Sequence, residues 1–495
     1  MCFELFEGAG AFKNKTAIIS DGVAWSYEQI KERSHHYATL LLGDKEDLSE
    51  ARIAFMVPPG VDYVCIQWAI WIAGGIAVPI CVTYPPTSIE YVLQDTEATV
   101  VIAADEFLPL LKPLCPEQSN RILLSLLQMH EPSFFKKLPV LSLSRRAMIL
   151  YTSGTTNLPK GVVSTHLNMK AQIDMLIDAW QWNSTDQTVC ILPLHHVHGI
   201  VNVVCCSLRA GAACHFLPRF DANEVLDILQ KEELTVFMAV PTIYFKLVAY
   251  LENLTENERL DIKDKLTRKR LMVSGSAALP VTVMEKWYQL SGHWLLERYG
   301  MTEIGMAISN PYDGERKPGF VGMPLPSVSV RLVSDDGKIN TGELGEIQVK
   351  GPAVFSEYWR KPEATKESFT PDQWFKTGDT AILENGYYKI LGRTSIDIIK
   401  SGGYKISAIE IEEVIRQFNL IEDCSVVGIP NEEWGEIVGA AIVLKNSMDM
   451  VAFQNWLAEQ LPKYKIPRSF RFLGELPRNA MGKVTKKELL PLFLS

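Results

Sequence analysis

Residues 151–161 read Tyr151-Thr152-Ser153-Gly154-Thr155-Thr156-Asn157-Leu158-Pro159-Lys160-Gly161. The apolar run Met148 to Tyr151 predicts a strand leading into this segment, and a second strand is expected beyond it. Hydroxyls, a glycine and a lysine therefore crowd into one loop between strands. Such a loop can wrap phosphate oxygens with backbone N–H groups, hydroxyl donors and a cation. It approaches the P-loop pattern GxxxxGK[ST], but Pro159 stands at the second glycine and Gly161 at the metal-binding hydroxyl, so a P-loop NTPase is disfavoured. A solvated Ser/Thr turn is the ordinary reading of a short polar run, and the length and order of this string set it aside.

Working outward, short β-rich apolar runs alternate with helix-like segments through the first three quarters of the chain, the pattern of a layered α/β domain. Thr235 to Val240 predicts a strand ending at Pro241-Thr242, after which Ile243, Leu247 and Leu251 recur at helical spacing. Arg270 to Val273 predicts another, followed by a Gly-Ser loop and a helix around Val283 to Leu290. Each strand hands over to a loop at its carboxyl end, where open α/β sheets place ligands. The character changes after Leu325. Gly345 to Lys350 and Tyr387 to Leu391 read as strands of smaller sheets, the second entered through a tight turn at Asn385-Gly386. From Ile396 the order is helix (Ala408 to Phe418), strands (Cys424 to Ile429, Val438 to Leu444), helix (Val451 to Leu461), strand (Arg471 to Leu473) and a final helix, a unit of about 100 residues.

A length of 495 residues favours a large domain plus a smaller one, because single cores stop growing well below that size. With hydrophobic residues at 47% and charged residues at 22%, the chain has the composition of an ordinary globular protein. The net charge of −9 argues against nucleic-acid or membrane-surface binding, which need a basic excess. Nine cysteines without a CxxC pair indicate reduced thiols. Apolar runs such as Val61 to Val82 are interrupted by Gly, Asp and Pro, so no membrane span is expected. Met1 to Ala11 lacks a basic segment, which makes the cytoplasm the default compartment. The mitochondrial matrix is the alternative, since an upstream extension can be removed on import.

The 151–161 string resembles the phosphate-binding signature of the adenylate-forming superfamily of acyl-CoA synthetases, luciferases and peptide-synthetase adenylation domains. Four further matches follow in order: Tyr299-Gly300-Met301-Thr302-Glu303, Thr377-Gly378-Asp379, Gly392-Arg393, and Pro477-Arg478-Asn479-Ala480-Met481-Gly482-Lys483. The resemblance implies an α/β fold with an N-terminal ATP- and acid-binding domain (1–392), a hinge (393–395) and a small mobile α+β C-terminal domain (396–495) bearing a catalytic lysine. Asn157 stands where the family has glycine, and asparagine enters the left-handed region more readily than other side chains. Ser395 occupies the hinge position, usually Asp or Lys.

Carried over residue by residue, the resemblance implies that Lys483 serves the α-phosphate and carboxylate, where charge develops in the adenylation step. Thr152, Ser153, Gly154, Thr155, Thr156 and Lys160 hold the β- and γ-phosphates. Glu303 binds Mg²⁺, with Thr302 beside it. Gly275, Ser276, Ala277, Glu297, Tyr299, Gly300 and Met301 contact the nucleotide, and Asp379 and Arg393 its ribose. Ser401, Gly402, Gly403 and Tyr404 form the coenzyme A face. Lys486 and Lys487 read as solvated charges.

The acid pocket falls on Leu192 to Gly199, Val273 to Ser276 and Leu296 to Tyr299, with Ser274, His196, His198 and Arg298 as its polar members. The histidines lack an acidic or cysteine partner at ligand spacing, so zinc is disfavoured. His196 matches the family's pocket histidine. Arg298 is the informative residue: a buried arginine needs an anion, which a second substrate carboxylate supplies. The alternative is pairing with Glu297. PLHHVHG, SGSAALP and LLERYGMTE together resemble malonyl-CoA synthetases, including those accepting methylmalonate. The expected reaction joins a dicarboxylic acid to coenzyme A at the expense of ATP. A synthetase for acetate or another short monocarboxylate, a catalytically silent nucleotide-binding protein and a luciferase-like oxygenase are the competing readings.

Overall fold

The computed structural model describes residues 2–129, 134–152, 159–340, 342, 344–478 and 484–494, with side chains from residue 6 onward. Two large sheets, of nine and seven strands, dominate the first 325 residues. In the nine-stranded sheet Gln187–Cys190, Ala213–Phe216, Val236–Ala239, Leu271–Ser274 and Leu296–Met301 run parallel. In the seven-stranded sheet Arg52–Met56, Ile76–Pro79, Val100–Ala103, Ile122–Ser125 and Arg146–Thr152 do the same. The helix Val61–Ile72 is apolar on nearly every face, and every residue in it but Asp62 is buried. It lies in one continuous core with Ile18 and Phe55 from the two sheets. Separate cores cover the outer faces, where Pro241–Glu252 and Val281–Ser291 pack on the nine-stranded sheet and Pro86–Thr96 on the other.

The strand Arg146–Thr152 pairs antiparallel with Lys160–Thr165, with Thr152 opposite Lys160, so both ends of the loop are pinned. Thr165 then opens the helix His166–Ala179 with a capping box, its hydroxyl accepting the Asn168 N–H at 3.1 Å.

A five-stranded antiparallel sheet follows, including Gly345–Lys350, Phe375–Glu384 and Tyr387–Arg393. Its last hairpin turns at Asn385 (φ 51°) and Gly386 (φ 82°), the left-handed pair expected of Asn-Gly. The C-terminal sheet is built on Ile421–Asn431 and Gly435–Leu444, with Ser469–Leu473 parallel at one side. The helices Ala408–Arg416 and Met450–Gln460 cover one face and the terminal helices the other.

Two readings change. Residues 398–407 form a hairpin, Ile398–Ser401 with Tyr404–Ser407, in which a strand before the glycine pair is expected from the residues and the second strand is not. Gly402 (φ 55°) and Gly403 (φ 83°) are its two-residue turn, a conformation that only glycine adopts freely. Lys486 is not a solvated charge. Its side chain is 12% exposed and meets Asp397 at 2.7 Å and Glu412 at 2.8 Å, because Lys486–Leu489 packs against the C-terminal sheet.

No helix among the described residues is long and apolar enough to cross a membrane. The eight cysteines with described side chains are free thiols.

Candidate active site

Leu271–Ser274 ends beside the start of Leu296–Met301, with Ser274 in register with Glu297, so the chain from Gly275 onward leaves the sheet alongside Arg298 while Leu296–Met301 continues. Successive side chains of a strand point to opposite faces. Glu297 therefore faces the outer core, where its Oε1 accepts the Leu279 N–H at 3.1 Å, and register puts Ser274 on that same face. Arg298 turns the other way, toward the core between the two large sheets.

Arg298 is 3% exposed, and its Nε and Nη2 are buried without a hydrogen-bond partner. No ion pair joins it to Glu297 or to any other described acid. Burial pulls its guanidinium down to about 9 against the attraction of Glu297, and burial pushes the Glu297 carboxyl up to about 8. Gly275 makes room for the arginine: a Cβ on it would lie 2.5 Å from Arg298 Cζ.

The histidines follow Gln187–Cys190, a strand of the same sheet. His198 opens a π-helix, His198–Cys205, a geometry that recurs at functional sites. Its Nδ1 lies 3.1 Å from Ser276 Oγ, while its Nε2 is buried and unpartnered. Burial, then the charges of Arg298 and His196, hold its imidazole far below the ordinary value, so it is neutral at physiological pH. The His196 ring packs against His195 with centroids 4.0 Å apart and the rings tilted by 51°, and His195 against Tyr84 at 5.9 Å and 55°. The pocket thus presents the Arg298 guanidinium beside the neutral imidazole of His198, an electrostatic demand for an anion.

Two polar clusters complete the rim. Asp379, 7% exposed, accepts from Tyr299 Oη at 2.6 Å and pairs with Arg393 Nε at 3.1 Å. Asp379 and Arg393 sit opposite one another in the antiparallel pair Phe375–Glu384 and Tyr387–Arg393. Gly300 and Met301 lie just past an irregularity in the pairing of Leu296–Met301 with Gly305–Ser309, and Thr302 and Glu303 fall in the turn between these two strands. Glu303, 6% exposed, accepts from Tyr358 Oη at 3.0 Å, and Lys160 Nζ stands 4.9 Å above the Tyr358 ring. Burial raises the Glu303 carboxyl against the hydrogen bond from Tyr358 and the charge of Arg393. A divalent cation would remove that cost, so the residue suits magnesium, which needs one or two carboxylates plus substrate phosphates.

The structure thus brings together Thr152, Lys160, Gly275, Ser276, His196, His198, Arg298, Tyr299, Glu303, Asp379 and Arg393 around one cleft between the sheets. Ala277 is exposed at its rim. Ser401 is buried and Tyr404 exposed on the C-terminal hairpin, where Tyr404 stacks on Tyr464 at 4.5 Å. Ser153, Gly154, Thr155, Thr156, Asn157 and Lys483 lie outside the described residues. Tyr358, which links Lys160 to Glu303, escaped the residue-level reading. It is delivered by pairing of Glu357–Tyr358 with Val162–Val163, a contact across nearly 200 residues that no local pattern announces.

A model of the AMP-binding enzyme family matches residues 5–359, and one of the AMP-binding enzyme C-terminal domain matches residues 410–483. The chain belongs to the AMP-binding enzymes. Among members of this family, the mitochondrial malonate–CoA ligase ACSF3 of Xenopus laevis is 41% identical, over 99% of this chain and 92% of that protein. The malonate–CoA ligase of Arabidopsis thaliana is 37% identical, over 98% and 87%. The crystal structure of ATP-bound MatB from Rhodopseudomonas palustris superposes with a TM-score of 0.92 at 32% identity, covering 100% and 99% of the two chains. The α/β architecture with a large N-terminal and a small C-terminal domain is that of this family of AMP-binding enzymes.

Proposed function

We propose that the protein ligates malonate, and methylmalonate as a second substrate, to coenzyme A through an acyl-adenylate, releasing pyrophosphate and then AMP. The observation that carries this reading is the buried, unpaired guanidinium of Arg298 beside neutral His198. One carboxylate of the diacid discharges Arg298 through paired hydrogen bonds. The other attacks the α-phosphorus of ATP while Thr152, Lys160 and the remainder of the 151–161 loop hold the departing phosphates. Asp379 accepts from the ribose hydroxyls, with Tyr299 and Arg393 fixing its orientation. Glu303 would hold Mg²⁺, whose charge would offset that of the phosphates when bound. Lys483 supplies the cation for the α-phosphate. In the second half-reaction the coenzyme A thiol sulfur attacks the acyl carbonyl and AMP leaves, with the Ser401 to Tyr404 hairpin guiding pantetheine.

The domain division that supports two half-reactions is 1–392, 393–395 and 396–495. Tyr387–Arg393 ends one sheet and Ile398–Ser401 begins the next, which leaves only residues 394–397 to link them. The mitochondrial relative favours the matrix over the cytoplasm. Pyrophosphate release across malonate, methylmalonate, acetate and benzoate, with and without coenzyme A, tests the proposal. Malonate should lead the panel, and AMP should accumulate only when coenzyme A is added. A response to acetate equal to that for malonate would exclude the diacid reading.

A further inference from the structure

The C-terminal body holds a ladder of charges, buried at its centre and exposed at Arg478, that the reaction as described does not use. Lys486 sits at its centre, between Asp397 and Glu412. Burial alone would push the ammonium's pKa down, but the two carboxylates outweigh it and the net direction is up. Asp397 continues toward the nucleotide: its Oδ2 accepts the backbone N–H of Arg393 at 3.0 Å, and Arg393 pairs with Asp379. Gly392 leaves the room for this contact, since a Cβ there would stand 2.3 Å from Asp397 Cβ.

Glu412 continues the other way. It accepts the Val426 N–H at 2.8 Å and lies 3.6 Å from Arg416, which faces Asp423 at 3.9 Å. Asp423 pairs with Arg478. Arg478 and Val484 form an antiparallel bridge, and the Thr485 N–H donates to the Pro477 carbonyl at 2.8 Å. Both sides of the neck from which residues 479–483 depart are therefore fastened to one ladder, by Arg478 before them and Lys486 after. The ladder's far end is bonded to the backbone of the proposed hinge.

We infer that Asp397, Lys486 and Glu412 are positioning residues that lock the neck of the Lys483 segment to the hinge strand, so that the lysine arrives at the α-phosphate in a fixed register with the Asp379–Arg393 pair. A methionine or leucine at position 486 would fill the site without desolvating a charge. A buried ion pair is weak evidence for stability and serves geometry better. This rests on the role of Lys483 proposed above.

The test separates the half-reactions. Acid-dependent pyrophosphate exchange needs Lys483, whereas coenzyme A attack on chemically prepared malonyl-adenylate needs the 401–404 hairpin of the same body. Asp397→Asn, which keeps the shape, and Lys486→Met should lower the exchange kcat roughly 10- to 100-fold, the scale of a misplacement of about 1 Å. The KM values for ATP and acid, and the rate of the thiol step, should stay within about threefold. Lys486→Arg should restore most of the exchange. Parallel loss of both half-reactions, or unchanged exchange in Asp397→Asn, overturns the inference. Lys483→Ala is the control: if it abolishes exchange while Asp397→Asn does not, the positioning role alone fails. If Lys483→Ala leaves exchange intact, the reading of Lys483 fails first and takes this one with it.

Discussion

Gly275 and Arg298 occupy one another's space, and the acid pocket depends on that fit. A methyl group at 275 would stand 2.5 Å from the guanidinium carbon, so Gly275→Ala must displace Arg298. Overpacking of this kind costs about 1–3 kcal/mol, and kcat/KM for malonate should fall by roughly 10- to 100-fold while acetate turnover changes little. A uniform rise in the KM for ATP with every acid would instead mark Gly275 as serving adenine alone. Glu297 offers a pH test. Between the ordinary carboxyl value and about 8 the folded chain keeps a proton that the unfolded chain has released, so its contribution to stability falls as pH rises through that window. Glu297→Gln should flatten that decline in thermal melts between pH 5 and 8, and an unchanged slope would contradict the burial argument. Arg298 was legible as the informative residue because arginine without an anion does not belong in a core. That Glu297 cannot be its partner follows only once Leu296–Met301 is known to be a strand, since alternation then sends the two side chains to opposite faces.

Elements with strong local chemistry were readable, and weakly patterned ones were not. The turn at Asn385-Gly386 and the helix after Pro241 came from turn chemistry and periodicity. The hairpin of Ile398–Ser401 and Tyr404–Ser407 came only in part: a strand before the glycine pair was readable, but Tyr404–Ser407 is too short to announce a second strand, and the pair gains its edge only from Gly435–Leu444. Gly402 is constrained there by its positive φ and by Trp434, whose ring would lie 2.8 Å from an added Cβ. Gly402→Ala should therefore distort the turn and slow coenzyme A-dependent AMP release at least about tenfold, with pyrophosphate exchange preserved. Equal loss in both assays would remove this hairpin from the thiol step.

Across the whole molecule, the cleft is assembled from elements far apart in sequence. Lys160 comes from the seven-stranded sheet, Arg298 and Glu303 from the nine-stranded one, and Tyr358 and Asp379 from the chain beyond. Ordered motifs announced that the first, third and last of these act together, but said nothing of Tyr358 or of the buried Lys486 ladder, which exist only through long-range pairing. The net charge of −9 argued against a general nucleic-acid or membrane-surface role and left room for a local basic pocket, and the interior holds one in Arg298, whose charge no described acid meets. Comparing kcat/KM for malonate with that for monomethyl malonate, in the native enzyme and in Arg298→Ala, tests this most directly, because the ester keeps the skeleton and removes one charge. The native enzyme should prefer malonate by roughly 100-fold or more, the cost of leaving one member of a buried pair alone, and Arg298→Ala should lose most of that preference. Equal use of the two acids by the native enzyme would contradict the account.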